Sequence, residues 1–470
     1  MRIPDKSHFS LTIPLSGLCR RQISAHPSFV LIDGIGICIY DNLLPGDRKN
    51  NDHQIHENLV RGYKKYDENI FSDIGDHASL IIADFSKNKF LISSDKVGHF
   101  TYYFAPGKDS VIVSNDTGIF FRSLFPEISR ESFIKYFLSG YIGGENTIFS
   151  GIRKVPPGCY LALDRGKLSV KRYHCYRTNI RSYDKKLIKA SIQSRLRDCV
   201  RVYASGRNVG LMLSGGYDST LLCRMAAEES LQLNTFTIGI KSVLSSAVSR
   251  SRKIASLFET RHHEIVFTLT EYVSIFADVF RYFDEPAFDM DMPVIFRMLS
   301  EIPKDINFIF HGFGSDELFG DRLKTQGGNF NRQSFCAFAG KKLPQELILH
   351  DKICLLHNSR LIFPFLAHPM LELALSMPLG LKKGKNLLRS ISPELNKIHS
   401  ESCLPDVRIP SLVRKALIMH YMPQVEKSRC IIGLLGRKTF DAILRRNVQR
   451  EILLLIVFHV WFKKRFSEIN

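Results

Sequence analysis

The chain has 470 residues, 65 Lys and Arg against 46 Asp and Glu, and a net charge of +19, with 44% hydrophobic and 24% charged residues. That length exceeds one ordinary domain, and the composition excludes a disordered, collagen-like or coiled-coil chain. The positive surplus favours anionic partners without choosing among nucleic acid, a phosphorylated cofactor, an acidic peptide and anionic lipid.

In chain order, residues 1–21 hold no apolar run of secretory-leader type, and no signal peptide is expected. Short apolar or alternating runs at 29–32, 35–40, 78–84, 89–94, 101–104 and 110–114, separated by Gly, Asp, Asn or Lys, predict a β-rich region over about the first 170 residues. From about 184 the period changes. A helix is predicted over 186–203, then strands at 209–213, 235–240, 264–267 and 306–310 separated by helical stretches, which implies a parallel sheet with crossover helices. After about 344 the pattern is mostly helical, through 361–377 and on to the end. The apolar run 452–462 is well short of the roughly 20 residues of a spanning helix and is expected to be a core-packed terminal helix. The ten cysteines include no Cys-x-x-Cys pair, so a zinc ribbon or redox dithiol is not expected, and they read as reduced thiols of a cytoplasmic protein.

The stretch that carries chemistry follows the strand ending at Leu213: Ser214-Gly215-Gly216-Tyr217-Asp218-Ser219, ahead of a helix expected from about Ser219. Glycines permit positive φ and close backbone approach. With the Ser214 and Ser219 hydroxyls and the helix N-terminus they make a phosphate site. Asp218 is tolerable beside polyphosphate only if a cation intervenes, which points to Mg2+. The plain alternative is a strand-to-helix turn with Asp218 as a helix cap, but five specified residues in six arise by chance on the order of once in a thousand chains of this length. No Gly-Lys-Ser or Gly-Lys-Thr follows, so this is not a Walker loop. A second Gly-rich loop, His311-Gly312-Phe313-Gly314-Ser315-Asp316-Glu317, follows the strand 306–310. Two such loops at adjacent strand ends would set Asp218 and Asp316 around one metal-polyphosphate.

The first loop resembles the pyrophosphatase loop of enzymes that cleave ATP to AMP and pyrophosphate. Further motifs stand in the order of the asparagine synthetase family: Asp95-Lys-Val-Gly98, Thr147-Ile-Phe-Ser-Gly-Ile152, Val155-Pro-Pro-Gly158, Thr235-Phe-Thr-Ile-Gly239, Asp284-Glu-Pro286, Phe363-Pro-Phe-Leu366 and Lys385-Asn-Leu-Leu-Arg389. The resemblance implies an α/β chain with a β-rich glutaminase-like (Ntn-type) sandwich domain over 1–178. A parallel-sheet ATP-pyrophosphatase domain with a helical tail would occupy 179–470. It also implies ATP and Mg2+ as cofactors, with Leu213, Ser214, Gly215, Gly216, Asp218, Ser219, Ile238, Gly312, Gly314 and Ser315 at the nucleotide and Asp218 and Asp316 at the metal. A catalytic lysine is expected at Lys397, with Lys415 as its rival, its loss costing about two to four kcal/mol of transition-state stabilisation.

Departures from the family pattern narrow the expectation. Family glutaminases use an N-terminal cysteine, whereas here Met1 precedes Arg2 and the first cysteine is Cys19. Phe313 stands in the substrate pocket where asparagine-forming members carry an acid; Ser246, Ala247 and Ala367 replace further acidic positions. Relatives with an ATP loop and no glutaminase cysteine include β-lactam synthetases and lasso peptide cyclases, and the similarity favours the latter. A precursor peptide would then be the substrate, served by a leader-processing protease and a peptide-recognition partner. Ammonia-using asparagine formation, β-lactam formation, tRNA modification and a non-catalytic scaffold are the alternatives. Absence of a Cys pair and of an RNA-binding signature weighs against nucleic acid.

Overall fold

The run 78–84 is apolar without alternation because both of its faces are covered. It forms β4 (Ala78–Asp84), central in a six-stranded antiparallel sheet ordered β10-β9-β5-β4-β3-β2. Here β2 is Val30–Ile32, β3 Ile35–Asp41, β5 Lys89–Ser93, β9 Cys159–Asp164 and β10 Lys167–Arg172. Ile81, Ala83, Phe90 and Ile92 face a second, four-stranded antiparallel sheet, β1-β7-β6-β8, and share its core with Phe104, Val111 and Val113. Those strands are β1 Ser10–Pro14, β6 Tyr103–Pro106, β7 Ser110–Ser114 and β8 Arg153–Lys154. On the opposite face Leu80, Ile82 and Leu91 pack with Val60 and Tyr63 of α1 (Asp52–Tyr66). The domain is a helix-covered β-sandwich, as the β-rich reading requires.

The computed structural model describes residues 9–16, 18, 30–41, 52–75, 78–122, 124–176, 184–241, 246–320, 342–357, 359–382, 385–400 and 408–467. The expected boundary at 178/179 lies outside them, as does Cys19.

α2 (Arg130–Ser139) precedes the second half. α3 (Lys185–Ala204) starts at an Asp184 cap and buries Ile188, Ile192, Leu196 and Val200, a stripe at helical spacing. Beside it lies a five-stranded sheet, every pair parallel, in the order β13-β12-β11-β14-β15. Its strands are β11 Asn208–Met212, β12 Gln232–Ile240, β13 Arg261–Phe267, β14 Phe308–Phe310 and β15 Arg360–Ile362. The order reverses between β11 and β14, which opens a crevice at their carboxyl ends. The intervening helices are α4 (Tyr217–Glu229), α5 (Ser246–Leu257), α6 (Leu269–Val279), α7 (Met292–Leu299), α8 (Ser315–Phe319) and α9 (Leu343–Leu356). Beyond β15 come α10 (His368–Ser376), α11 (Leu395–Ser400), α12 (Arg408–Val425), α13 (Arg429–Leu435), α14 (Arg437–Arg446) and α15 (Gln449–Ser467).

The stretch 361–377 is mostly helical, as expected, but it opens on a strand: Leu361 and Ile362 add β15 to the sheet before Pro364 stops it. The helix expected at Ser219 starts at Tyr217, because Gly216 serves as its N-cap and an acid in the first turn suits the positive helix end.

The halves share one core. α15 buries Ile452 through Phe458 and Trp461, whose Nε1–H donates to the Phe283 carbonyl at 3.0 Å. A buried ionic knot joins the two halves. Lys154 Nζ lies 2.6 Å from Glu285, whose other oxygen accepts the Ile148 N–H at 2.8 Å. Asp284 accepts from the Thr117 N–H at 2.9 Å and pairs with Lys352, while Arg465 of α15 reaches Asp116 at 2.9 Å. The Asp284-Glu285 motif is thus a joint between domains. Among the described residues no helix is long and apolar enough to cross a membrane.

Candidate active site

β11 and β14 are hydrogen-bonded neighbours, so their two loops leave the sheet side by side. A methyl group on Gly312 would stand 3.6 Å from the Ser219 nitrogen and 3.8 Å from Asp218 Cβ. Ser214 and Ser219 hydroxyls are 3.1 Å apart at the mouth of α4, and Ser219 is anchored to the Gly216 carbonyl at 3.0 Å. Both lone pairs of the Leu213 carbonyl are taken, by Thr237 at 2.6 Å and Ser251 at 2.9 Å, so Leu213 contributes shape rather than a free acceptor. Ile238 lies near the carboxyl end of β12, and Ser315 is buried behind its loop.

Gly215 has φ +72°, and a Cβ there would stand 2.7 Å from the Ala247 carbonyl of α5. Gly215→Ala is therefore expected to cost about 1–2 kcal/mol in backbone conformation alone, more with the clash, and to lower both the melting temperature and ATP-pyrophosphate exchange. Gly314, at φ +93°, admits no side chain because Leu366 fills the space a Cβ would need.

The two loop carboxylates meet on one cation. Lys385 Nζ forms ion pairs with both Asp218 Oδ2 and Asp316 Oδ1. Burial disfavours the ammonium, but the two carboxylates outweigh it and hold Lys385 above its ordinary value. Lys385 stands at φ +58°, a left-handed conformation that costs a lysine roughly 1–2 kcal/mol. Tyr217 holds that turn in place: its hydroxyl donates to the Leu388 carbonyl at 3.0 Å. Arg224 braces the following segment through Ser392 at 3.2 Å and an ion pair with Glu394.

The lysine at the carboxylates is Lys385, whereas Lys397 on α11 and Lys415 on α12 are exposed. Asp218 Oδ1 is buried and has no hydrogen-bond partner among the described residues. Two carboxylates against one ammonium leave a residual negative charge, and the orphan oxygen adds an unused ligand. A divalent cation of the Mg2+ type fits this donor set.

Phe313 lies in a patch of aromatic rings. It stacks on His350 with centroids 5.7 Å apart and meets Phe363 edge-on at 6.0 Å. His311 accepts the Phe313 N–H at 3.1 Å, and burial, reinforced by His350, pushes its pKa down to about 3. His350 Nδ1 stands 2.6 Å from the Glu346 carbonyl, so that nitrogen carries the proton and Nε2 the lone pair. Burial pushes the His350 pKa down as well. This imidazole, on α9, was not singled out from sequence; nothing local in Leu-His-Asp marks it.

The asparagine synthase family matches residues 191–335, and the glutamine amidotransferase domain matches residues 42–174. Asparagine synthetase [glutamine-hydrolyzing] 1 of Bacillus subtilis is 24% identical over 380 residues, covering 78% of this chain and 54% of the relative. A putative asparagine synthetase [glutamine-hydrolyzing] of Mycobacterium bovis is 28% identical over 200 residues, covering 41% of this chain and 31% of the relative. The Gallus gallus asparagine synthetase [glutamine-hydrolyzing] is 27% identical over 301 residues, covering 54% of this chain and 52% of the relative. The chain thus spans about half or less of the length of these relatives. The two domain matches and their order define a two-domain protein of the amidotransferase-synthetase class. The chain carries an asparagine synthase domain over residues 191–335 behind a glutamine amidotransferase domain over residues 42–174.

Proposed function

We propose that the protein is an ATP-dependent carbon-nitrogen ligase that adenylates a carboxylate and passes the acyl group to an amine. The observation that carries this is the convergence of Asp218 and Asp316 on Lys385 at the mouth of the Ser214–Ser219 loop. A carboxylate oxygen attacks the α-phosphorus of ATP, pyrophosphate leaves, and an amine then attacks the acyl carbon with AMP departing. Magnesium held by Asp218 and Asp316 would neutralise polyphosphate charge. Lys385 stabilises the charge that builds on the departing pyrophosphate and on the tetrahedral centre. The α4 N-terminus and the Ser214 and Ser219 hydroxyls orient the phosphates.

The finer reading is macrolactam formation, in which a side-chain carboxyl of a precursor peptide is joined to the peptide's own N-terminal amine. Tethering the amine to the activated acid raises its effective concentration and limits hydrolysis. Phe313, backed by Phe363 and His350, offers an apolar wall suited to a peptide side chain. A leader-removing protease that frees the amine and a peptide-recognition partner complete the assignment; the net charge of +19 suits an acidic peptide.

Intact-mass measurement with Mg-ATP and candidate precursor peptides tests this reading: a product lighter by one water is expected. Efficient conversion of aspartate and ammonia to asparagine, with every peptide unchanged, would replace it by the asparagine-forming alternative. A companion prediction concerns glutamine. In the sandwich domain Cys38 and Cys159 are buried in the core, and burial pushes the Cys159 thiol up. Neither offers a thiolate to substrate. No protein-dependent glutamate release from glutamine is expected, and measurable release would contradict the loss of this activity.

A further inference from the structure

Away from the nucleotide loops, three metal-ligating side chains converge where the sandwich domain meets α10. His174 follows β10, its backbone N–H bonded to the Gly158 carbonyl at 3.0 Å. His368 and Glu372 stand one turn apart on α10, an i, i+4 pair on one helix face. The two imidazoles present the same nitrogen to each other. His174 Nε2 and His368 Nε2 are 3.3 Å apart, with ring planes at 63°. Glu372 Oε1 lies 3.7 Å from His368 Nε2, and one donor atom from each residue lies within 4.8 Å of the others.

Two nitrogens bound to one tetrahedral zinc at about 2.0–2.1 Å stand about 3.3 Å apart, the separation of this histidine pair. Two imidazoles and a carboxylate form a nitrogen-rich set that suits a zinc-type ion, whereas Mg2+ and Ca2+ favour all-oxygen sites. The Tyr176 ring packs against both histidines, with centroids at 5.1 and 5.6 Å, and screens one side. Glu372, about half exposed, gives access from solvent on the other.

We propose that His174, His368 and Glu372 bind one zinc-type divalent ion, with water in the fourth position. The ion ties the end of the sandwich domain to α10. That helix follows Leu366, the residue that fills the space beside Gly314. The site is a clamp between the domains, and it does not depend on which amide the enzyme forms.

Elemental analysis of the full-length protein, purified without a metal-affinity tag, incubated with Zn2+ and dialysed, is expected to give about one zinc per chain. The double variant His174→Gln/His368→Gln should retain its circular dichroism spectrum and lose the metal. Cobalt loading should give visible d–d bands without thiolate charge transfer. Zinc near zero in the wild type, zinc retained in full by the double variant, or a thiolate-dominated cobalt spectrum would each overturn the proposal, the last two by pointing to the cysteines. Should the double variant fail to fold, Glu372→Gln carries the test: zinc affinity measured by chelator competition is expected to fall about tenfold or more, and unchanged affinity would sink the site.

Discussion

Lys385→Ala is expected to lower ATP-pyrophosphate exchange about 10²–10³-fold, the size of loss seen when one preorganised donor to developing negative charge is removed, or about 3–4 kcal/mol. The same change at Lys397 or Lys415 should leave exchange within about twofold, since surface substitutions away from a site rarely matter. Equal losses at Lys397 and Lys385 would return the role to the former. Lys385→Gly adds a control on folding. It removes the ammonium and also relieves the left-handed backbone at φ +58°. Its melting temperature should exceed that of Lys385→Ala, while its exchange rate should be as low. Asp218→Asn should fail alongside Lys385→Ala, because it weakens both the lysine pair and the orphan oxygen offered to the metal.

Breaking the ionic knot should have the largest effect on stability. Lys154 and Glu285 side chains are each 4% exposed and 2.6 Å apart. Lys154→Met leaves a carboxylate stranded in the core, at an expected cost of about 3–5 kcal/mol in chemical denaturation. The cost has a pH signature. Burial already holds the Glu285 carboxyl above its ordinary value of 4.5, although Lys154 pulls it back. A carboxyl with a raised folded-state pKa binds its proton more tightly in the folded than in the unfolded chain, so stability falls as pH rises from the unfolded to the folded value. Removing Lys154 widens that window. The variant should therefore lie closest to the wild type below about pH 4 and diverge progressively above it. A pH-independent difference would show that Glu285 is not the group responsible. Lys154→Met/Glu285→Gln should recover part of the loss by removing the stranded charge.

Much of this architecture is legible in sequence where the determinants are local. The loop after Leu213 is readable because glycine at positive φ and hydroxyls at a helix mouth act within a few residues of one another. The runs 78–84 and 110–114 match β4 and β7 end to end. What was missed depends on distant partners or on short segments. β15 spans three residues, and its apolar run reads equally as the start of a helix. The hairpin β9–β10 turns through Arg165 and Gly166, both at positive φ, and the Asp-Arg-Gly-Lys sequence was a usable signal for it. Lys385 was readable as the first residue of the Lys385–Arg389 motif, but its place at the carboxylates depends on Asp218, 167 residues earlier, and a lysine is an unusual choice for a left-handed position. Asp284 and Glu285 were recognisable as a motif, yet their role as a joint follows only from the residues folded against them.

The reach of α15 also bears on synthesis. Arg465 completes its bond to Asp116 across 349 residues of chain. At translation rates of 5–20 residues per second, about 20–70 s separate the appearance of these two partners. Through that interval Tyr103, Ala105 and Phe121 lack the helix that later shares their core. The nascent first domain thus carries a waiting apolar face, a binding surface for holdase chaperones and, in their absence, a seed for aggregation during overexpression.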